Sequence, residues 1–393
     1  LYTKHKKYPK ANKQLRYAIM ICARNEENVI GDIIHSLKNQ TYNKDKFDIF
    51  VLADNCTDHT YEKAIELGAY AYTRENTKEV GKGYALNTLY HNIQKDFGDS
   101  YDAYIVFDAD NIIDKNFLTE MNNRFATGKY DALTSYRNSK NFCTNWLTYG
   151  YSIWFLHEAR LVNAARNAIG TTCMISGTGF LVSKELMKEN GGWPYHLLTE
   201  DIEFSVNCAL KGKKIGYVDK AVVYDEQPTS WAQSYNQRMR WSKGFLEINQ
   251  KYFGSLISGL FKSDHKLGIY DVLITLAPCT LLTLSLLFLS VFFGVVSYSM
   301  PKIIAEIIWS RICRFIFWTI VVYYVLFLFM GLVTLVSEWK NISGNPVKKV
   351  LYLAVFPLFL FTYAPITIIA LFKPVEWTPI AHHSTRELLK STK

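Results

Sequence analysis

Charged residues are nearly missing from one continuous part of this chain, and this feature constrains the fold more than any other. Of 79 charged residues, 9 lie between Leu267 and Phe372, and 70 lie in the remaining 287 positions. Lipid offers no hydrogen-bond partner to the backbone, so a segment that crosses a membrane forms a helix of about 20 residues. Three apolar stretches reach that length, namely Ile269–Ser299, about Phe315–Val336, and Val350–Phe372. We therefore predict a soluble part followed by transmembrane helices, since three buried core helices of this length in succession would be unusual for a soluble protein.

The excess positive charge lies next to the predicted membrane segments. The formal net charge is +9, and basic residues are clustered at the start of the chain and before the first and third apolar stretches. Such clusters are typical of cytoplasmic segments beside a membrane, so they indicate a lipid bilayer as partner and no nucleic acid. We expect a further segment, such as another span, before Leu1. The clusters are Lys4, Lys6, Lys7, Lys10, Lys13 and Arg16, then Lys262 and Lys266, then Lys348 and Lys349.

The first 245 residues alternate between strand and helix patterns. Tyr17–Cys22 is a short apolar run, and apolar residues then recur at helical spacing from Val29 to Leu37. Phe47–Leu52 is the next apolar run, and the helix after it ends at Gly68. Because strands that alternate with helices pair in parallel, this pattern predicts an α/β fold with a doubly wound sheet.

These patterns divide the chain into five parts. Residues 1–16 are predicted to be a basic juxtamembrane segment, 17–245 the α/β domain, 246–266 an interface helix, 267–372 the transmembrane region and 373–393 a cytosolic tail. The seven cysteines are odd in number and lack metal-ligand spacing, which indicates reduced thiols. We therefore expect a multi-pass protein of the cell membrane with a cytosolic α/β domain.

Two carboxylates stand at the end of one predicted strand. Tyr104–Phe107 is an apolar run, and Asp108 and Asp110 follow it with one alanine between them. Ligands of open α/β sheets bind in the crevice at the carboxyl ends of the strands. Two acids in that crevice offer hard oxygen ligands to Mg²⁺ or Mn²⁺. A solvated pair of aspartates in a turn explains this tripeptide equally well when it is taken alone.

Two further sites on the chain are suited to a nucleotide. Asp54 ends the second predicted strand, where the base or ribose of a nucleotide would be bound. Lys82 lies between Gly81 and Gly83 at the start of a helix, so both the backbone and the ammonium group can approach a phosphate. Either feature alone is weak evidence for a nucleotide site.

Two later groups combine charge with aromatic character. Glu200 and Asp201 stand at a helix start, where a favourable interaction with the helix dipole is the simpler explanation. Gln237, Arg240 and Trp241 lie in a basic segment whose side chains can clamp a phosphate and stack on a sugar. A basic helix at the membrane interface would have the same composition.

Taken together, these residues resemble the inverting family 2 glycosyltransferases with a GT-A catalytic domain. Within that family the resemblance is to the membrane-embedded, processive synthases of cellulose, hyaluronan, chitin and poly-N-acetylglucosamine, and it runs in order from about Ile19 to Gly244. The shared signature is an Asp after the second strand, an Asp-x-Asp, a Thr-Glu-Asp and a Gln-x-x-Arg-Trp. In this chain these motifs are Asp54; Asp108 and Asp110; Thr199, Glu200 and Asp201; and Gln237, Arg240 and Trp241.

The resemblance implies roles for these residues. Asp54 would bind the uridine with Lys82 nearby, Asp108 would meet the diphosphate, and Asp110 would do so through Mg²⁺ or Mn²⁺. Asp201 would be the general base that deprotonates the acceptor, while Glu200 is expected to point elsewhere if a helix begins there. The acceptor and diphosphate would be held by the remaining motif residues, which are Thr199, Glu200, Gln237, Arg240 and Trp241.

The resemblance also implies an activity. The enzyme would transfer sugar from a UDP-sugar, with UDP-glucose favoured over UDP-N-acetylglucosamine, to a growing polysaccharide that it moves across the membrane. Accessory export subunits would be further partners. A non-processive transfer of one sugar to a lipid is the alternative. A non-catalytic membrane scaffold is disfavoured, because every acid of the signature is present.

The number of spans conflicts with the position of the tail. Three full spans after a cytosolic domain would leave the tail outside. The tail is basic, and the segment from Trp377 to Arg386 loosely resembles a Trp-x-Thr-Arg element that follows the last span of hyaluronan synthases. Both features place the tail inside, so one apolar stretch is expected to be interfacial or re-entrant. Ile269–Ser299, which contains Pro278, and the segment from Lys302 to Arg314 are where we expect the exception.

Overall fold

The computed structural model describes residues 8–276 and 279–375, and the side chains of 279–284 are not described. Residues 1–7 and the segment from Trp377 to Arg386 therefore lie outside the described residues. Eight strands of the described residues form one sheet. They are β1 (Tyr17–Ala23), β2 (Phe47–Asp54), β3 (Tyr70–Arg74), β4 (Ala103–Asp108), β5 (Ile112–Ile113), β6 (Ala132–Ser139), β7 (Phe180–Ser183) and β8 (Ile215–Asp225).

The sheet has the predicted parallel core. Its strand order is β3-β2-β1-β4-β7-β6-β8-β5. β1 pairs in parallel with both β2 and β4, and β2 pairs in parallel with β3. β7 runs antiparallel to β4 and β6, whereas β6 and β8 are again parallel. The α/β prediction is confirmed, and the carboxyl ends of β1, β2 and β4 meet at one edge.

β1 is apolar along its whole length because both faces of the sheet are covered. Successive side chains of a strand point to opposite faces, so Met20 belongs to one core with Leu89, while Ile19 and Ile21 belong to the other core with Ile33. This arrangement holds the parallel strands between two layers of helices.

The helices of this part surround the sheet, and one of them continues past its predicted end. They are α1 (Ile30–Lys38), α2 (Thr60–Glu66), α3 (Lys82–Phe97), α4 (Phe117–Phe125), α5 (Trp146–His157), α6 (Ala164–Ile169), α7 (Lys184–Glu189), α8 (Glu200–Leu210) and α9 (Trp231–Lys262), with a π-helical turn (Glu158–Asn163) between α5 and α6. α9 runs unbroken from its Ser230 cap to Ser263. The expected interface helix at 246–266 is thus largely the second half of α9, because no residue within this segment breaks the helix.

Part of the basic start of the chain is attached to the α/β domain. The Ala11 amide donates a hydrogen bond to Asn123 Oδ1 at 2.9 Å, and Arg16 forms an ion pair with Asp48 at 2.9 Å. Residues 8–16 therefore pack on α4 and the sheet edge.

The first apolar stretch forms two helices, which differs from the single span predicted at Ile269–Ser299. The C-terminal helices are α10 (Lys266–Leu276), α11 (Cys279–Ser297), α12 (Lys302–Glu338), α13 (Pro346–Phe361) and α14 (Tyr363–Phe372). Ile269 and Val272 of α10 are buried against Ile248 of α9, and Asp271 pairs with Arg166 at 2.6 Å. α10 belongs to the α/β domain because these contacts bury its apolar face there.

Within residues 8–276 and 279–375, two segments are long and apolar enough to cross a membrane. Lys302–Glu338 has 37 residues and a mean hydropathy of 2.4, and Pro346–Phe372 has 27 residues and a mean hydropathy of 2.1. α11 and α12 expose large apolar side chains, such as Phe288 and Phe317. In contrast, α13 and α14 lie along α5 and α9, since the ring of Phe359 contacts that of Tyr151 at 5.0 Å.

Replacing Gly83 by alanine is expected to destabilise the protein by about 1–3 kcal/mol or more. A Cβ at this position would lie 1.9 Å from the Tyr195 carbonyl oxygen, so the start of α3 would have to move. Thermal unfolding in detergent measures the change. Gly254→Ala is the matched control, because this helical glycine has nothing within 4 Å of its Cβ position and alanine favours a helix by about 0.5–1 kcal/mol. A Gly83→Ala protein as stable as this control would contradict the packing at Gly83.

Candidate active site

All ten residues singled out from the sequence line one cavity of about 710 Å³. Asp54 and Asp108 end the parallel strands β2 and β4 at its edge, and the other residues come from helix starts and from α9. The structure therefore brings together motifs that are spread over nearly 190 positions of the chain. These residues are Asp54, Lys82, Asp108, Asp110, Thr199, Glu200, Asp201, Gln237, Arg240 and Trp241.

Lys82 is held at the first turn of α3. It follows Gly81, whose φ of 141° is in the region that favours glycine. Its ammonium group forms an ion pair with Asp108 and donates to the Gly177 carbonyl at 2.7 Å. Burial disfavours the charged form, but Asp108 and Glu200 outweigh it and raise the pKa of Lys82. The cavity therefore contains a charged ammonium group.

Asp54 is buried and paired with a residue that the sequence analysis missed. Arg74 Nη1 lies 2.7 Å from Asp54 Oδ1, and Arg74 Nη2 donates to the Glu79 carbonyl at 2.7 Å. Asp54 and Arg74 are directly opposite each other in the parallel pairing of β2 and β3. The arginine orients the carboxylate, and only the strand register reveals the pair.

Three carboxylates meet at the centre of the cavity. Asp108, Asp110 and Asp225 each contribute an oxygen atom, and these atoms lie within 4.8 Å of one another. Such a set of oxygen donors fits Mg²⁺ or Mn²⁺. Asp225 was not predicted, although it ends β8 as Asp54 and Asp108 end their strands, and that position was the available signal.

The surroundings of Asp225 keep it ionised. Arg137 Nε donates to Asp225 Oδ2 at 3.0 Å, and Gln227 and Asn111 donate at 2.9 Å each. Burial by itself would raise the pKa of Asp225, but the Arg137 guanidinium and the hydrogen bond from Gln227 outweigh it and lower the pKa. Arg137, which the sequence analysis also missed, stacks over the Phe155 ring at 3.7 Å.

The start of α8 is positioned by packing against α9. Glu203 is fully buried and accepts hydrogen bonds from the His196 and Leu197 amides at 3.1 Å each, and from Lys251 Nζ at 2.6 Å. At Gly244 of α9, a Cβ would lie 2.5 Å from Thr199 Oγ1. Only glycine lets Thr199 approach α9 this closely, so both contacts fix the segment before Glu200.

Glu200 and Asp201 both line the cavity, which differs from the expectation that Glu200 points elsewhere. Burial, together with repulsion from Asp201, raises the pKa of Glu200 to about 7. Burial also raises the pKa of Asp201, against the opposing effect of a backbone hydrogen bond and of Lys82 and Arg137. The cavity therefore holds two carboxyl groups that bind protons more readily than exposed ones.

The residues of α9 form another wall. The ring of Trp241 contacts Tyr151 at 5.7 Å and Phe155 at 6.0 Å, both edge to face. Gln237 Oε1 is buried and has no hydrogen-bond partner within the described part of the chain. A buried amide oxygen of this kind has capacity for a ligand donor.

The cavity is also lined by apolar side chains, which come from four elements. Apolar walls with a few polar groups are typical of binding sites for small molecules. These side chains are Trp154 and Phe155 of α5, Phe327 and Met330 of α12, Leu360 of α13, and Tyr363 of α14.

Comparisons with known proteins agree with this geometry. A family described as Glycosyltransferase like family 2 matches residues 14–244, more than half of the chain. A probable glycosyltransferase YdaM of Bacillus subtilis is 27% identical over 65% of this chain and 60% of its own length. A beta-monoglucosyldiacylglycerol synthase of Synechocystis is 26% identical over 65% of this chain and 53% of its own length.

Two further comparisons concern a polymer-forming relative and the fold. Poly-beta-1,6-N-acetyl-D-glucosamine synthase of Staphylococcus epidermidis is 25% identical over 64% of this chain and 59% of its own length. The chain thus spans little more than half the length of these relatives. The mannosyltransferase PcManGT of Pyrobaculum calidifontis, solved with GDP-Man and Mn²⁺, has a TM-score of 0.52 at 13% identity and covers 93% of this chain and 91% of its own. At this identity the likeness shows the fold alone.

Proposed function

The chain belongs to the glycosyltransferases of family 2 and has the GT-A fold, and from that premise we propose that it transfers one sugar from a UDP-sugar to a membrane lipid. The observation that carries this proposal is the composition of the cavity. Acids and basic residues line it together with apolar side chains of α12, α13 and α14. A nucleotide sugar is polar throughout, whereas the apolar side chains suit hydrocarbon chains.

A growing polysaccharide is the second candidate acceptor. Gln237, Arg240 and Trp241 favour it, because this motif resembles that of the polymerising synthases. A polymer would need a polar path through the membrane. Among the described helices, α11 and α12 form an apolar hairpin whose exposed side chains suit contact with hydrocarbon chains rather than with a polysaccharide. This favours a lipid as acceptor.

In the proposed reaction, Asp201 accepts the proton of the acceptor hydroxyl. The hydroxyl oxygen bonds to the anomeric carbon from the side opposite the diphosphate, so the configuration inverts. The bond from that carbon to the diphosphate breaks, and UDP leaves with the electron pair. No second nucleophilic carboxylate is needed.

The charge on the leaving diphosphate is matched by basic groups and the acidic triad. Lys82 and Arg240 line the cavity on this side, and fixed cations stabilise developing negative charge. A divalent metal held by Asp108, Asp110 and Asp225 would neutralise the diphosphate when bound. Asp54 would bind the uridine, and Trp241 the sugar.

Burial at Asp201 leads to an expected pH dependence. A base works only when deprotonated, and burial raises the pKa of Asp201. Activity should therefore fall with decreasing pH earlier than it would for an exposed aspartate. Glu200, whose pKa is about 7, is already largely protonated at the pH where Asp201 titrates, so Glu200→Gln is expected to leave this acidic limb in place. Profiles of kcat/KM between about pH 5 and pH 8 for the wild type and for Glu200→Gln measure the limb, and a limb that moves to lower pH in the variant would show that Glu200 is ionised while Asp201 titrates.

We further propose that the hairpin of α11 and α12 inserts into the membrane, whereas α13 and α14 lie along the cytosolic domain. Glu338, at the end of α12, is buried and accepts a hydrogen bond from Tyr136 of β6 at 2.5 Å. At the other end of residues 346–372, Lys243 of α9 donates to the Ala370 carbonyl at 3.2 Å. Both ends of this segment lie at the α/β domain, and this supports a tail on the cytosolic side.

Cysteine labelling tests this topology. In a Cys313→Ser background, a cysteine at Tyr298, which is 80% exposed between α11 and α12, should react with a membrane-impermeant maleimide added to intact cells. A cysteine at the exposed Glu189 should react only after lysis. Labelling at Glu189 in intact cells would contradict a cytosolic domain.

The activity itself is tested with purified protein, Mg²⁺ or Mn²⁺, and lipid vesicles. UDP-glucose, UDP-N-acetylglucosamine and GDP-mannose are offered separately, and nucleotide release and lipid products are followed. We expect UDP release and a single glycolipid, with UDP-glucose as the favoured donor. A ladder or smear of polymer would instead support the second candidate acceptor, and release of GDP would contradict the donor assignment.

A further inference from the structure

The loop at Ser176 and Gly177 divides the cavity into two sides. On one side, the Gly177 carbonyl accepts a hydrogen bond from Lys82 at 2.7 Å. On the other side, Ser176 Oγ donates to Glu158 Oε2 at 3.3 Å. Asp201 lies against the loop, since a Cβ on Gly177 would be 3.7 Å from Asp201 Oδ2. The proposed base therefore stands between the nucleotide side and a second lobe that contains Glu158.

This second lobe, which we term the acceptor lobe, combines one carboxylate with apolar walls. It lies between α5, the π-helical turn and α12, on the side of the loop away from Lys82. The turn that carries its carboxylate is an irregularity of a kind frequent at functional sites. The acceptor lobe is lined by Trp154, Phe155, Glu158, Phe327 and Met330.

Glu158 is a poorly satisfied carboxylate. Across residues 8–276 and 279–375, its one hydrogen-bond donor is the Ser176 hydroxyl, and no cation forms an ion pair with it. Burial raises the pKa of Glu158, while Arg166 and Arg137 oppose this effect. Because a partly buried carboxylate gains free energy from added donors, a ligand with hydroxyl groups would be stabilised here.

The cations near the acceptor lobe are already engaged. Arg137 Nε donates to Asp225 at 3.0 Å, and Arg166 Nε pairs with Asp271 at 2.6 Å. Burial lowers the pKa of His157 to about 4, so its ring is neutral near pH 7. A phosphate in the lobe would be repelled by the carboxylates of Glu158 and Asp201. An uncharged headgroup would not be repelled.

We propose that the acceptor lobe binds the sugar headgroup of an uncharged glycolipid, with Glu158 accepting a hydrogen bond from a hydroxyl other than the one that reacts. This inference rests on the proposed transfer to a lipid and narrows the acceptor to headgroups with at least two hydroxyls. The reacting hydroxyl gives its proton to Asp201, and the hydrocarbon chains lie along Phe327 and Met330. The new glycosidic bond therefore forms on the sugar of the acceptor.

The test compares three acceptors in phosphatidylcholine vesicles: a monoglucosyl diacylglycerol, a diacylglycerol and a polyprenyl phosphate. The wild-type enzyme should favour the glucolipid over the other two. For Glu158→Gln, we expect the KM for the glucolipid, as a mole fraction of lipid, to rise about tenfold, with kcat nearly unchanged. Transfer to diacylglycerol should not change, because its single hydroxyl goes to Asp201. An unchanged KM for the glucolipid, or a preference of the wild type for either other acceptor, would overturn the inference.

Controls separate this inference from folding and from the proposed function. UDP binding to Glu158→Gln, measured by isothermal titration, should equal that of the wild type, which shows that the cavity is intact. Glu185→Gln changes an exposed glutamate on α7 and should leave every parameter unchanged. Ser176→Ala removes the one protein donor to Glu158 and should change the KM less than Glu158→Gln. If the wild type glycosylates no lipid but extends a polysaccharide, the proposed function fails; if it glycosylates lipids and Glu158→Gln has no effect, only the acceptor lobe is wrong.

Discussion

Asp201→Asn is expected to lower turnover by about 10²–10⁴-fold, the usual range for loss of a general base. A hydroxyl is a weak nucleophile at neutral pH, so a carboxylate must accept its proton as the new bond forms. Among the predicted acids, Asp108 faces Lys82 and lies with Asp110 and Asp225 in the triad. Asp201 lies against Gly177, between the nucleotide side and the acceptor lobe. Its position therefore suits proton transfer from an acceptor.

Asparagine has nearly the same shape as aspartate, so Asp201→Asn should bind UDP within a few-fold of the wild-type affinity. Turnover assays and isothermal titration of UDP in parallel measure the two effects. Glu200→Gln is the matched control, since the two acids are adjacent on α8 and both line the cavity. It should reduce turnover less than Asp201→Asn. If Glu200→Gln is the more damaging change, Glu200 is the base.

Asp110→Asn is expected to lower activity by about 10²–10³-fold. Its carboxylate belongs to the triad with Asp108 and Asp225, and an amide is a poor ligand for a hard divalent cation. A metal that neutralises the leaving diphosphate contributes several kcal/mol, and each 1.36 kcal/mol is a factor of about ten in rate. EDTA should have a comparable effect on the wild-type enzyme.

Mn²⁺ binding gives a readout that is independent of activity. Asp110→Asn should weaken Mn²⁺ binding by at least about tenfold in a titration, and Asp225→Asn should do the same if all three acids are ligands. Asp45→Asn changes an exposed aspartate and should bind Mn²⁺ like the wild type. An enzyme that stays active in EDTA, or an Asp110→Asn variant with unchanged Mn²⁺ affinity, would show that the triad does not hold the metal.

The sequence alone predicted the parallel part of the sheet and ten of the residues that line the cavity. Local rules were sufficient, because a parallel strand that ends in an acid places it at the edge where ligands bind. Asp54, Asp108 and the residues near them could therefore be found by their position relative to a strand. The resemblance to a family then assigned these motifs to one active site, although each motif taken alone had a simpler explanation.

The partners of those residues could not be found in this way. Arg74 pairs with Asp54 through the register of two strands, and Arg137 pairs with Asp225 from neighbouring strands that are far apart in sequence. Glu158 lies in the π-helical turn after α5, and it belongs to none of the motifs that the sequence offered. A hydrogen bond across the fold leaves no periodic signal in the chain, so only the tertiary structure shows these contacts.

The C-terminal region shows most clearly the difference between what the sequence determines and what only the tertiary structure decides. Apolar composition by itself determined that residues 267–372 are mostly helical. Such side chains avoid water, and where water is excluded the backbone must form its hydrogen bonds within a helix. It did not determine what covers each helix. In the tertiary structure, α10 packs on α9 and α13 packs on α5, whereas α11 and α12 remain exposed. Burial of apolar area lowers the free energy in protein and in lipid alike, so hydropathy cannot distinguish the two surroundings, and only the packing does.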